Sequence, residues 1–324
     1  MTDGQRDDAK DHTAPGGTGG RKGGRNGTDG RFIRPTTTME ELLALVDLEP
    51  LEHNIYRGQN RDIGTERVFG GQVLAQALVA ARRTVEEARE AHSLHGYFIL
   101  PGDLEAPIVY FVDPLRDGGS FTTRRVTAIQ HGRAIFNLSA SFHVEEEGMS
   151  HQAECPEAPP PEEVVPELER IRAAADRIPA NVRGVLTQDR PIDFRPVDPP
   201  DLFHPERTPP LRMTWFRIQG EMPDDPILHQ AVLAYASDYG LLSTVLQPHG
   251  RTVRDRDLQV ASLDHALWFH RSFRVDEWLL YVVDSPVSGG SRGFARGSIF
   301  TRDGVLVASS AQEGLTRVRT PRPG

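Results

Sequence analysis

Two stretches of the chain are apolar on every side. Gln72-Val73-Leu74-Ala75-Gln76-Ala77-Leu78-Val79-Ala80-Ala81 contains no Gly or Pro. Such a run predicts a helix buried all round rather than one with a single apolar stripe. Ile227 to Ala236 repeats the pattern inside a helix predicted from Pro226 to about Asp238. Strand-like runs follow each helix. After the first they cover residues 94–100, 107–112, 121–130 and 134–144; after the second, 259–269, 278–283, 293–301 and 305–312. Shorter strands are predicted near 192–194 and 213–220, an extended stretch near 54–61, and a further helix over 39–46. Gln130-His131-Gly132-Arg133 and Arg302-Asp303-Gly304 have the composition of hairpin turns.

The order of elements repeats. The segment Arg125–Phe142, strand, Gly132 turn, strand ending in small residues, matches Gly297–Gln312 around Gly304. Ser93-Leu94-His95 and Ser262-Leu263-Asp264 each open an aromatic strand after the buried helix. A sheet wrapped around a single all-apolar helix is the economical way to hide that helix. The predicted fold class is therefore α+β, a tandem (double) hotdog; the alternative is two unrelated α+β domains that share an element order. The halves are placed at 36–148 and 185–318. Between them, residues 149–184 are rich in Pro and Glu and read as a linker with one short surface helix at Leu168–Arg172. Residues 1–35, rich in Gly, Asp and Arg, read as a disordered tail, and 319–324 as a flexible C-terminus.

Bulk properties narrow the function. A net charge of −9 over 324 residues argues against a general nucleic-acid binder. Cys155 is the one cysteine, which excludes an internal disulfide and a Cys-based zinc site, and no metal or cofactor is expected. No run approaches the ~18 apolar residues of a membrane span, and no apolar signal core opens the chain. The expected location is cytoplasmic.

Several candidate motifs compete. Gly289-Gly290-Ser291-Arg292-Gly293 has the letters of a nucleophile elbow, but a strand follows it and no histidine occurs after His270. It reads instead as a Gly-rich loop, with Arg292 and Arg296 able to meet the phosphates of a nucleotide-like ligand or simply to be solvated. His92 and His95, three residues apart on a strand, are expected on opposite faces, which disfavours a metal site. Asp238 ends an apolar helix, where a carboxylate works against the helix dipole. Ser262 and Gln312 lie on strands. Taken singly, each of these three reads as structural more often than functional, and the sequence pattern alone does not single them out.

A set of motifs then stands out. Val68-Phe-Gly-Gly-Gln72-Val, His92-Ser-Leu-His-Gly-Tyr-Phe, Pro101-Gly-Asp103, Leu115–Phe121 and Ala140-Ser-Phe142 lie in the first half. Tyr235-Ala-Ser-Asp238, Leu246-Gln-Pro-His-Gly250, Ser262–Arg271, Glu277–Tyr281 and Ala311-Gln-Glu-Gly314 lie in the second. From about Met39 to Arg317 the chain resembles the acyl-CoA thioesterase II family. The resemblance implies a double hotdog that hydrolyses fatty acyl-CoA to free acid and CoA, and it places the catalytic set on Asp238, Ser262 and Gln312. Ser262 stands where Thr is more familiar, and Leu100 stands before Pro101-Gly102 where Arg is expected. By analogy the partners are the acyl-CoA substrate and further copies of the chain, as a homodimer or homotetramer.

The reaction suits these residues. A carboxylate can act as general base toward water while Ser262 and Gln312 position that water. Backbone N–H groups at Gly70 and Gly71, opening the first buried helix, are the expected oxyanion donors. The repeat sets Asp238 opposite Ala80, Gln312 opposite Ala140 and Ser262 opposite Ser93, which predicts one active site per fused pair. Two other functions compete: a non-catalytic acyl-CoA sensor, and a hotdog enoyl-CoA hydratase. The hydratase needs a histidine close to its aspartate, and Asp238 has none following it in sequence until His249.

Overall fold

The computed structural model describes residues 36–64 and 67–319. The predicted tail at 1–35 and the last residues from 320 onward lie outside the described residues.

The first half opens with α1 (Met39–Val46), β1 (Glu49–Glu52), β2 (Ile55–Gly58) and α2 (Gly70–Arg82). It continues with β3 (Arg89–Phe98), β4 (Ile108–Asp117), β5 (Phe121–Gln130) and β6 (Arg133–Val144). Thr38 and Glu41 form a capping box on α1, which fixes where that helix starts. The second half holds β7 (Ile192–Pro196), β8 (Leu211–Ile218), α5 (Pro226–Ser237) and α6 (Leu241–Leu246). Its remaining strands are β9 (Leu258–Ser262), β10 (Asp264–Phe269), β11 (Leu279–Gly289), β12 (Arg292–Thr301) and β13 (Leu306–Val318).

All strands join one antiparallel sheet in the order β1-β2-β4-β5-β6-β3-β10-β13-β12-β11-β8-β7, with β9 added on β13. The order is a palindrome of the repeat: β6-β3 on one side answers β10-β13 on the other. The halves meet where β3 pairs with β10, from Asp264 opposite Tyr97 to Trp268 opposite Ser93. Each half curls around its own helix, which makes the architecture a double hotdog. Leu74 and Leu78 of α2 and Leu233 of α5 belong to one buried core together with Phe136, Phe142, Phe216, Ile299 and Val307. At roughly 1.5–3 kcal/mol for each fully buried large side chain, this core is the main stabilising term.

The hairpins follow their residues. His131 and Gly132 both have positive φ, as do Gly290 and Ser291, so each pair forms a two-residue turn of the kind that matches strand twist. The Gly289–Gly293 motif is thus the β11–β12 hairpin, not a strand-to-helix elbow.

Two regions depart from expectation. The predicted strand 259–269 is broken at Leu263, whose N–H turns to Glu313 O, giving β9 and β10. The segment between the halves contains two α-helices, α3 (Glu167–Ala173) and α4 (Ala180–Thr187), rather than one. It also packs on the sheet. Pro159 O accepts from Trp215 Nε1 at 2.8 Å, and Val164 lies in a cluster with Trp215, Trp278 and Phe300.

Candidate active site

The central helices α2 and α5 pack alongside each other, and at one end the last turn of α5 meets the first turn of α2. α5 terminates at Ser237 with Asp238 as its C-cap. α2 starts at Gly70 behind Phe69 and has no side-chain cap of its own. Asp238 fills that place from across the junction, its Oδ2 accepting from the Gly71 N–H at 2.9 Å. A Cβ on Gly70 would come within 2.7 Å of that same Oδ2, and one on Gly71 within 2.3 Å of Tyr235 O. Gly71 is required by this close approach of backbones, and Gly70 by the Asp238 and Phe98 side chains packed against it. The dipole puzzle is resolved in the same place: Asp238 opposes its own helix but sits at the positive end of α2.

Asp238 is enclosed. Its side chain is 6% exposed. Phe69, Tyr235 and Tyr239 pack edge-on or tilted against one another beside it, with ring centroids 4.8–6.1 Å apart. Burial pushes its pKa up to about 7, against the downward pull of the Gly71 N–H and the Gln312 amide. A carboxylate tuned to that range is half-ionised near neutrality, which suits a general base. Oδ1 makes no hydrogen bond among the described residues.

Ser262 and Gln312 come to the same place from β9 and β13. Gln312 is 1% exposed and donates through Nε2 to Ser262 Oγ at 2.7 Å. Its Oε1 is held by His265 Nδ1 at 2.6 Å. His265 Nε2 in turn meets Ser237 Oγ at 2.9 Å, on the last turn of α5. With Gln312 oriented this way, Nδ1 carries the proton of the neutral ring and Nε2 is left as an acceptor beside Ser237 Oγ, whose single hydrogen is shared between Nε2 and Ala234 O at 2.9 Å. Burial holds the His265 pKa down at about 4, so the ring is neutral. Its Nδ1 lies 3.9 Å from Asp238 Oδ1, too far for a hydrogen bond.

The three residues implied by the family resemblance are therefore brought together. His265 is the member that sequence reasoning missed. The signal was present: His265, Leu267 and Phe269 share the buried face of β10, and a histidine among inward apolar positions needs partners.

The other candidates are placed as follows. Gly71 N–H, expected as an oxyanion donor, is engaged by Asp238. Arg292 and Arg296 lie on the outer face of the sheet, the opposite face from Gln312, where Arg292 pairs with Glu313 at 3.0 Å and Arg296 with Asp284 at 2.9 Å. His92 bonds Ser141 Oγ at 2.8 Å, while His95 pairs in register with Ser139. Ser139 and Ser141 share a face, so the two histidines do too. The expected opposite facing is corrected by a bulge between Ala91 and Ser93, which shifts the alternation by one.

Similarity to known proteins runs the length of the described chain. The family described as acyl-CoA thioesterase matches residues 185–315, and the acyl-CoA thioesterase N-terminal domain matches 58–143. Acyl-CoA thioesterase 2 of Haemophilus influenzae is 39% identical over 86% of this chain and 98% of its own length. Human acyl-coenzyme A thioesterase 8 is 40% identical over 86% and 89%. The crystal structure of an acyl-CoA thioesterase II from Mycobacterium marinum, 45% identical, covers 86% of this chain and 99% of its own with a TM-score of 0.71.

Proposed function

The chain belongs to the acyl-CoA thioesterase II family and hydrolyses acyl-CoA thioesters, and from that premise we propose that Asp238 is its general base. The observation that carries this reading is the pairing of a buried, uncapped helix start at Gly70-Gly71 with a carboxylate whose pKa is raised to about 7. Oδ1 takes a proton from the attacking water. Ser262 Oγ and the Gln312 amide, 2.7 Å apart, fix that water's direction of attack. As Asp238 gains the proton its charge falls, and the Gly71 N–H becomes available to the oxyanion that forms on the thioester carbonyl. CoA leaves as the thiolate and is protonated, which returns the site to its starting charge.

His265 is a positioning residue in this scheme. It keeps the Gln312 oxygen turned away, so that the NH₂ faces Ser262 and Asp238. Both its ring nitrogens are bonded within the protein and the ring is neutral, which argues against a hydratase role for it as the proton donor. Direct attack by Ser262 is disfavoured, because no histidine is bonded to its Oγ among the described residues. Fatty acyl chains, a cytoplasmic location and a homodimer or homotetramer complete the reading. The deciding experiment is thiol release from decanoyl-CoA by the wild type and Asp238→Ala. Release by the wild type that collapses in the variant is expected; release that survives refutes the base, and a wild type that binds without release points to a sensor.

A further inference from the structure

Beyond the reacting centre, two arginines meet one carboxylate and two more act on the group through its electrostatics. Glu167, at the start of α3, bonds Arg190 Nη1 at 3.0 Å and lies 3.9 Å from Arg212 Nη2 on β8. It is also the one carboxylate that acts on Arg254. Arg170, on the next turn of α3, faces Arg212 with like charge. The group adjoins the site: Arg212 Cδ lies 3.9 Å from where a Cβ on Gly240 would be, two residues after Asp238. Tyr239 between them is acted on by Arg190, Glu167 and Asp238 alike.

The cations are under-partnered. The Arg212 side chain is 17% exposed, yet its one hydrogen bond among the described residues is from Nε to Thr214 Oγ1 at 3.4 Å. A guanidinium has five N–H donors. The Arg254 side chain has no hydrogen bond or ion pair among the described residues, and Arg190 uses Nη2 only on Leu186 O at 3.3 Å. Three positive charges in excess, with Arg190 and Arg212 half-buried, Arg254 exposed and donors unused, make a seat for a multiply charged anion. By contrast Arg292 and Arg296 are each already matched to a carboxylate on the outer face.

We propose that Arg190, Arg212 and Arg254 bind the phosphates of the CoA moiety, so that the segment joining the two halves, through Glu167 and α3, forms one wall of the substrate site. This rests on the thioesterase reading for the identity of the anion, but not for its existence. The segment's Glu167 would hold Arg190 and Arg212 apart and preformed.

The test pairs binding with kinetics. Calorimetric titration of CoA and of 3′-phospho-ADP is run on wild type, Arg212→Gln/Arg254→Gln and Arg292→Gln/Arg296→Gln. The first double variant is expected to weaken both ligands at least tenfold and the second to leave them within twofold. In the thiol assay the first variant should raise KM for decanoyl-CoA at least tenfold, leave kcat within threefold, and leave decanoyl-pantetheine unaffected. Arg254→Gln alone, at an exposed side chain, guards against misfolding and should weaken CoA severalfold. Equal losses for both esters, wild-type binding in the first variant, or the loss appearing in the Arg292/Arg296 variant instead would overturn the assignment. A wild type that binds CoA through these arginines but releases no thiol would sink the thioesterase reading and leave the anion site standing.

Discussion

At one end of the paired central helices, the last turn of α5 meets the first turn of α2; at the other, the last turn of α2 faces the first turn of α5. The fold makes these ends equivalent, and the residues do not. α2 has no side-chain cap and takes Asp238 from the other half. α5 is closed locally: Asp225 caps its Ile227 N–H at 3.1 Å, and Pro226 at its first position removes a donor altogether. Where Gln312 faces Ala295 across β13 and β12, Ala140 faces Arg124 across β6 and β5. Arg124 is buried and fills its corner with bonds to Thr84 and to Asp117. An idle end has its donors satisfied from within its own half. A working end leaves a helix start to be satisfied by a carboxylate that is free to change charge.

The largest expected effect comes from removing that charge. Asp238→Asn keeps an acceptor for Gly71 but cannot take a proton, and kcat should fall by about a thousandfold. The wild-type rate should rise with pH through about 7 and level off above it, as Asp238 ionises. Stability should run the other way. The folded state holds the Asp238 proton more tightly than the unfolded chain does, where the group titrates near its ordinary ~4. The contribution of Asp238 to stability is therefore fullest below about 4, falls as pH rises toward 7, and stays reduced above it. Asp238→Asn removes this loss, which at about 1.4 kcal/mol per pKa unit is about 4 kcal/mol, and should be more stable than the wild type at pH 8, read by denaturant titration. A variant both inactive and less stable at pH 8 would break the account of the junction.

Gly70→Ala attacks the junction from the other side. Its Cβ would lie 2.7 Å from Asp238 Oδ2 and 2.9 Å from Phe98 Cζ. The side chains must shift, and a displacement of about 1 Å at the base should cost about a hundredfold in kcat. Gly71→Ala meets the Tyr235 backbone at 2.3 Å instead and should lower the melting temperature as well. Comparing the two variants by activity and by thermal unfolding separates the role in orientation from the role in packing.

Building the working end into the idle one should fail. Ala80→Asp with Ala140→Gln restores the letters of the site, but Ala80 is fully buried, at the negative end of α2. The carboxylate would find α5 already capped. A cost of about 3 kcal/mol or more from an uncompensated buried charge, and no added thiol release on an Asp238→Asn background, are expected.

Much of this was legible in the sequence, for physical reasons that differ by element. The two central helices could be read because an all-round apolar run has one way to be hidden. The His131-Gly132 turn could be read because few residues accept positive φ. The break at Leu263 could not, since it is set by Glu313 on a distant strand, nor could α6, six residues long and started by Gly240 in a left-handed conformation. The proposed catalytic set rested on resemblance, because Asp238, Ser262 and Gln312 come together only through β9, β13 and the helix junction. His265 was legible by its alternation on β10, but its meaning needed Gln312 and Ser237 to be near.

That histidine offers the smallest and most discriminating test. His265→Asn can still donate from an amide toward Gln312 Oε1, with a shorter reach, whereas His265→Leu cannot. If His265 only fixes which way Gln312 points, the Asn variant should lose about fivefold in kcat and the Leu variant about fiftyfold, as positioning effects do. KM should stay within twofold in both, because His265 does not touch the substrate. The rise with pH should persist through about 7 in both, because the group that titrates there is Asp238 and not the neutral ring. A pH profile that flattens on losing His265 would instead make the imidazole a proton carrier, and the two ends of the helix pair would then differ by a base and its relay rather than by a base and its support.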